Sequence, residues 1–270
     1  LDYSIAIGVF DSGVGGLTVA REIFRQIPEG KIIYFGDTAH LPYGSRSREE
    51  LIHFADKICQ FLIGQGAQVI VDACNSTSAV ALEFLKEKYS TPIIGVIEPG
   101  VKTALQQTEN FRIGVIATEA TINSGAHKKV MAQIAPEVLA VGQACPLFVP
   151  LVEGGKVASP EAVEAAEKYL EPLIKVGIDT LILGCTHYPF LVTTLKKVLG
   201  DGVKFVDPAR ETVRQLKEVI CSLPGQAMKT LAHRYVVSGD PEVFYRVGNR
   251  LMAGNSIPAV DKVDLDWGEE

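Results

Sequence analysis

Two stretches of this chain limit its fold more than anything else in it. Val69-Ile70-Val71-Asp72-Ala73-Cys74-Asn75-Ser76-Thr77 and Thr180-Leu181-Ile182-Leu183-Gly184-Cys185-Thr186-His187-Tyr188-Pro189 follow one plan. In each, an apolar run stops at a cysteine and small polar residues come next. Such a run, bounded by glycine and polar residues, reads as a strand buried on both faces. Each cysteine then sits at the carboxyl end of a central strand, the edge of an open α/β sheet at which ligands bind. Two thiols at equivalent places in two similar halves suggest one cleft with a thiol on each wall.

The rest of the chain alternates in the same way. Ile5 to Phe10 is a first strand. It ends in Asp11-Ser12-Gly13-Val14-Gly15-Gly16 and an amphipathic helix from about Leu17 to Gln26. Lys31 to Phe35 is a second strand, and Pro42 and Gly44 mark the segment after it as a loop. From about Ser47 to Gln65, Leu51, Phe54, Ala55, Ile58, Phe61 and Leu62 recur at three- and four-residue steps, one buried helical face. After the strand to Cys74, Ala79 to Lys88 reads as one helix. Pro92 to Ile97 is a fourth strand ending at Glu98-Pro99-Gly100, with a helix from Val101. The pattern then restarts: Arg112-Ile113-Gly114-Val115 echoes Ile7-Gly8-Val9, Val138 to Val141 answers the second strand, and Val203 to Val206 answers the fourth. Between them lie a loop holding Glu153-Gly154-Gly155 and a helix from Pro160 to Val176. A period of about 110 residues is a domain duplication, not a solenoid.

The expected fold class is therefore α/β: two similar doubly wound, mainly parallel-sheet domains with right-handed crossovers. The segment from about Pro208 reads as helix (212–221), strand (233–237), helix (241–251) and polar tail, and has no repeat partner. It is expected to return to the first half. That gives one domain of residues 1–98 plus 208–270 and a second of residues 99–207.

Charge and composition exclude several functions. A net charge of −6 and a pI near 5.5 argue against an electrostatic nucleic-acid binder. No apolar stretch approaches the roughly 20 residues that span a bilayer. No secretory leader is legible, so a cytoplasmic protein is expected. Five widely spaced cysteines with no CxxC are not a disulfide framework.

Each candidate site residue has a plain alternative. A cysteine at a strand end is often only a small buried hydrophobe. Here both cysteines precede an amide or hydroxyl residue and then a helix, whose N-terminus favours a thiolate. Cys74, Cys185 and His187 could also be zinc ligands, although their spacing matches no zinc motif. Two thiols on opposite walls suit one reaction: a proton leaves one face of a carbon and another arrives on the opposite face, inverting its stereochemistry. Each thiol is base in one direction and acid in the other.

Asp11-Ser12-Gly13-Val14-Gly15-Gly16 lies where a dinucleotide fingerprint would, with Asp37 near the position of the ribose-binding acid, but Thr18 replaces the third glycine. Its other readings are a loop whose backbone N–H groups bind a carboxylate and an Asp11 that caps the helix. Tyr43 and Gly44, Asn75 and Ser76, Thr118 and Thr121, and Thr186 place uncharged hydrogen-bonding groups at the strand ends. They suit a small zwitterion, and each could equally cap a helix. His187 is within reach of Cys185. Glu153 sits in a glycine-rich loop.

At these residues the chain resembles the glutamate racemases of the cofactor-independent aspartate/glutamate racemase superfamily. The likeness runs through Phe10-Asp11-Ser12-Gly13-Val14-Gly15-Gly16-Leu17-Thr18, Tyr34-Phe35-Gly36-Asp37-Thr38, Pro42-Tyr43-Gly44, Ala73-Cys74-Asn75, Gly95-Val96-Ile97-Glu98-Pro99-Gly100, Cys145-Pro146-Leu147-Phe148-Val149-Pro150 and the stretch from Leu183 to Pro189. It implies interconversion of L- and D-glutamate with no cofactor or metal, supplying D-glutamate to peptidoglycan. It also implies that Cys74 exchanges the α-proton with the D enantiomer and Cys185 with the L enantiomer, assisted by Asp11, Glu153 and His187. Asp11, Ser12, Tyr43, Gly44, Asn75, Ser76, Thr118, Thr121, Thr186 and His187 would hold the substrate. A homodimer is a further implication.

Four positions depart from the family pattern: His40, Asp72, Ser76 and Thr77. Asp72, if buried near Cys74, would raise the pKa of that thiol. The rival readings are a racemase of aspartate or another amino acid, a nicotinamide-dependent oxidoreductase using the Gly13 loop, and a non-catalytic binder of an acidic amino acid.

Overall fold

A computed structural model describes residues 5–223, 232–252, 257 and 259–267. Their strands form two all-parallel sheets. The first contains β1 (Ala6–Asp11), β2 (Lys31–Gly36), β3 (Val69–Asp72), β4 (Ile93–Gly95), β9 (Arg234–Val237) and β10 (Val260–Lys262), in the order β10-β9-β2-β1-β3-β4. The second contains β5 (Arg112–Ala117), β6 (Leu139–Ala144), β7 (Thr180–Gly184) and β8 (Lys204–Val206), in the order β6-β5-β7-β8. The expected α/β class with two parallel sheets is what the chain forms. Two compact units result, one from residues up to Val96 with those from Ala209 onward, the other from Ile97–Pro208.

The duplication shows in topology and in register. The order β2-β1-β3-β4 reappears as β6-β5-β7-β8. Gly8 pairs with Ile70 in the first sheet, and Gly114 with Leu181 in the second. A Cβ on Gly8 would lie 3.2 Å from Leu62, and one on Gly114 would lie 3.3 Å from Leu173. Those leucines belong to the helices Arg48–Gly64 and Pro160–Val176, which precede β3 and β7. In both units a glycine lets the same crossover helix settle onto the sheet.

Strand alternation builds the first unit's core on both faces. Ile7, Val9, Tyr34, Val69 and Val71 pack on one side against the helices Leu17–Gln26 and Ala209–Ser222. Phe10, Ile33, Phe35 and Ile70 pack on the other, against Ile58 and Leu62. This is the period-two pattern of a strand covered on both faces. Ser47 starts the helix Arg48–Gly64 with a reciprocal cap: its hydroxyl accepts from Glu50 N–H while Glu50 accepts from Ser47 N–H.

Some elements differ from expectation. The helix expected from Val101 begins at Ile97, because Pro99 falls in its first turn, where a missing N–H costs nothing. The same reason makes Phe148–Glu153 a helix through Pro150, so Glu153 ends a helix and does not lie in a loop. The single helix read from Ala79 to Lys88 is two, Asn75–Val80 and Leu82–Lys88, joined at Ala81. The polar tail contains β10, and Trp267 beyond it packs edge-on against His40 and Phe54. Among the described residues, no helix is long and apolar enough to cross a membrane.

Candidate active site

In each sheet the chain reverses its direction of winding between the first and third strands of the unit. In open α/β sheets the carboxyl ends of such strands are where ligands bind. Asp11 and Cys74 follow β1 and β3; Thr118 and Cys185 follow β5 and β7. Cys74 is 5 % exposed and Cys185 7 %, and no described cysteine is in a disulfide.

In the second unit the thiol has a relay behind it. Cys185 Sγ lies 3.8 Å from His187 Nδ1, and His187 Nε2 lies 3.1 Å from Glu153 Oε1. His187 is buried at 2 %, and Glu153 is partly open to solvent. A carboxylate at Nε2 fixes that nitrogen as the N–H donor and turns Nδ1, the acceptor, toward the sulfur. The imidazole can then take the thiol proton, and Glu153 stabilises the imidazolium that forms. Sequence reading had placed a helix after both cysteines. After Cys185 come a 3₁₀ turn, Tyr188–Leu191, and then the helix Val192–Leu199, so this helix does not start at the thiol as the one after Cys74 does, and His187 is the polar group beside the sulfur. Burial, and then the charges of Cys185 and Cys145, push the Tyr188 phenol up, and its hydroxyl donates to the Cys145 carbonyl at 2.9 Å. Burial also pushes the Cys145 thiol well above its usual range, which leaves it a poor nucleophile.

Thr118 opens the helix Glu119–Ser124. Its hydroxyl accepts from Thr121 N–H at 3.4 Å and lies 3.0 Å from the Thr121 hydroxyl. Both threonines, and the buried Thr186 beside Cys185, stand at the carboxyl edge of β5 and β7. The helix cap and the site edge are therefore one place.

In the first unit Cys74 is the cap residue of the helix Asn75–Val80, with extended backbone (φ −79°, ψ 120°). A helix N-terminus supplies partial positive charge next to this thiol. Asn75 and Ser76 are buried beside it, and Asn75 Oδ1 has no hydrogen-bond partner among the described residues. Asp11 ends β1. Its Oδ2 accepts from Gly13 N–H at 3.1 Å and Gly16 N–H at 3.0 Å. Two of the loop's amides therefore serve the chain's own carboxylate, leaving fewer for an external anion. The same bonds weigh against a dinucleotide pyrophosphate there. Gly16 is required, since a Cβ would come within 2.6 Å of the Asp11 Cβ and 2.7 Å of the Tyr34 hydroxyl. Tyr34 in turn donates to the Gly13 carbonyl at 2.7 Å, and buried Ser12 sits inside this clasp. Burial, then the charges of Asp11, Tyr235 and Cys74, raise the Tyr34 phenol, so carboxylate, phenol and thiol share one buried region.

Tyr43 and Gly44 lie in a 3₁₀ turn, Tyr43–Ser45. The Tyr43 hydroxyl donates to Asp37, which also accepts from Ser238 at 2.6 Å and contacts His40 Nδ1 at 2.8 Å. Burial and the adjacent Asp37 push the Tyr43 phenol up. Asp37 is thus the hub of this loop. Reading the sequence missed that role, because Ser238 lies far along the chain and no local pattern links the two. The His40 ring stacks on Phe54 at 4.4 Å, which explains how a residue other than the usual one is held there. Among the described residues, no three His, Cys, Asp or Glu side chains gather as a metal site requires.

Comparison with known proteins places these features. The model of the Asp/Glu/hydantoin racemase family matches residues 7–216. A glutamate racemase of Geobacter metallireducens is 46% identical, over 98% of this chain and 98% of that protein. One from Desulforudis audaxviator is 44% identical, over 94% and 96%. Among solved structures, glutamate racemase isoform RacE1 from Bacillus anthracis superposes with a TM-score of 0.90 at 39% identity, covering 98% of this chain and 99% of that one. The chain belongs to the Asp/Glu/hydantoin racemase family.

Proposed function

We propose that this chain interconverts L- and D-glutamate by passing the α-proton between two thiols. Cys185, as thiolate, removes the proton of L-glutamate, and the Cys74 thiol delivers its own to the opposite face. The C–H bond broken becomes S–H at Cys185; the S–H broken at Cys74 becomes the new C–H. From D-glutamate the roles reverse. His187, backed by Glu153, exchanges the proton of Cys185, and the helix N-terminus at Asn75 with the Asp11 clasp serves Cys74. The hydroxyls of Ser12, Ser76, Thr118, Thr121 and Thr186, with Tyr43, Gly44 and the unpaired Asn75 oxygen, bind the zwitterion. An α-proton flanked by a carboxylate is weakly acidic, so aimed donors and exclusion of water must stabilise the developing carbanion. The product supplies peptidoglycan, and the enzyme works in the cytoplasm.

The observation that carries this reading is the Cys185–His187–Glu153 relay at one strand end, matched by Cys74 at the equivalent strand end of the other unit. The relatives support the substrate: a Francisella tularensis glutamate racemase 34% identical to this chain was solved in complex with D-glutamate. The test is racemisation by Cys74→Ala and Cys185→Ala on glutamate and aspartate. Each should lose at least about 10³-fold on glutamate, the scale of positioned acid–base catalysis. Wild-type rates in both variants, or a preference for aspartate, would sink the reading.

A further inference from the structure

Asp72 is a carboxyl group that the reaction above does not use, two residues before Cys74. It ends β3 and is 0 % exposed. Strand alternation puts it on the face of Ile70, away from Val71 and Ala73. Its Oδ1 accepts two hydrogen bonds, from the Cys74 N–H at 3.2 Å and from the Thr77 hydroxyl at 2.6 Å. Its Oδ2 has no partner among the described residues. The Thr77 hydroxyl also lies 3.2 Å from the Cys74 carbonyl oxygen, and the Ser78 hydroxyl donates to the Asp72 carbonyl at 3.0 Å. Both peptide groups of Cys74 are therefore braced by one small network. Asp72 and Thr77 are thus partners in the structure.

We propose that Asp72 is a positioning residue for Cys74, acting through Oδ1 on the Cys74 amide and the Thr77 hydroxyl. The proposal rests on Cys74 being one of the two proton-transfer thiols. The two oxygens differ in their use: Oδ1 accepts twice, and Oδ2 has no partner among the described residues. The surroundings disfavour the charged form. Burial raises the Asp72 carboxyl well above its usual range, and the charge of Asp11 from the end of β1 adds to this. The Thr77 and Ser78 hydroxyls and the Cys74 amide pull the other way. The remaining titratable neighbour, Cys59 from the helix Arg48–Gly64, is itself raised by burial and then by Asp72. A carboxyl whose charged form is disfavoured can brace the thiol-bearing turn through its Oδ1 acceptor with less negative charge beside the thiol.

The test uses the full chain carrying Asp72→Asn, Asp72→Val or Thr77→Ala. Alkylation of Cys74 by iodoacetamide is followed between about pH 6 and 9 by peptide mass mapping, with Cys185 as internal control. In parallel, the primary isotope effect is measured with α-deuterated D- and L-glutamate. Asparagine keeps the Oδ1 acceptor, so Asp72→Asn should leave the Cys74 rate and pH midpoint as in wild type. Asp72→Val strands a buried N–H and a hydroxyl. It should slow Cys74 alkylation about tenfold, the scale of one lost buried hydrogen bond. Cys185 should be unaffected, and the isotope effect should rise for D-glutamate alone.

Wild-type alkylation in Asp72→Val overturns the proposal. So does an Asp72→Asn variant as impaired as Asp72→Val, or one in which the Cys74 midpoint falls, because each would mean that the carboxylate charge is what matters. If Asp72→Val does not fold, Thr77→Ala decides, with a slowed Cys74 expected and an unchanged one contradictory. Cys74→Ala run alongside separates the two claims. Racemisation by that variant would remove the two-thiol reading, whatever Asp72 does to alkylation.

Discussion

His187 stands between a sulfur and a carboxylate, and each neighbour governs one ring nitrogen. Removing the charge of Glu153 while keeping its shape should weaken the imidazolium that balances a Cys185 thiolate. Glu153→Gln is expected to lower kcat/KM about ten- to a hundredfold, the worth of a hydrogen bond to a charged group. Steady-state rates from both enantiomers check this, and an unchanged rate would show that the carboxylate is a bystander. A second histidine is a stability element. His127 is buried at 4 %, and burial lowers its pKa from 6.5 to about 4. The unfolded chain therefore binds the proton first. The contribution is present above pH 6.5 and is lost as pH falls toward 4, by about 3 kcal/mol in all. His127→Phe should flatten the acid limb of a urea-midpoint profile in that window. A limb of unchanged slope would show that His127 is not its source. Asp11, Cys74, Cys185 and His187 were legible as candidates because each sits at or just after a strand end; Glu153, at the end of a helix, was not placed correctly. The role of Asp37 was not legible, since it depends on a contact with Ser238 that only folding makes.

At the scale of elements, the loop after β1 and the helix Arg48–Gly64 make opposite predictions. Gly16→Ala drives a methyl group into Asp11 and Tyr34. It should cost about 1–3 kcal/mol of stability, as overpacking does, and should also depress turnover, because the Asp11 clasp is displaced. Ser47→Ala removes a helix cap that the proposed reaction does not use. It should cost about 1 kcal/mol and leave kcat unchanged. Denaturant melts and rates on both variants test the pair; equal losses of activity would show that loss of stability alone explains Gly16→Ala. The long helices and the buried strands were legible from their apolar periods. The misread elements share causes. Pro99 and Pro150 look like breakers but lie in first turns, where they lose no hydrogen bond. The three-residue β10, Val-Asp-Lys, is too short and too polar for its period to register.

For the whole molecule, one chain carries the same winding twice, and the two copies have diverged in what surrounds their cysteines. Cys74 has a helix N-terminus and a buried carboxyl network; Cys185 has a histidine and a glutamate. The repeat of about 110 residues was readable because strand, glycine and cysteine recur in step. The segment that extends the first sheet through β9 has no repeat partner, and its pairing with β2 shows only in the fold. The central claim is that two thiols of one chain work on opposite faces of one carbon. Incubating the purified protein with L-glutamate in D₂O, and analysing both enantiomers at low conversion, tests it most directly. The account predicts D-glutamate carrying deuterium at the α-carbon, while the recovered L-glutamate still carries protium. Product that retains the substrate's own proton, or protein that neither inverts nor exchanges glutamate, would contradict it.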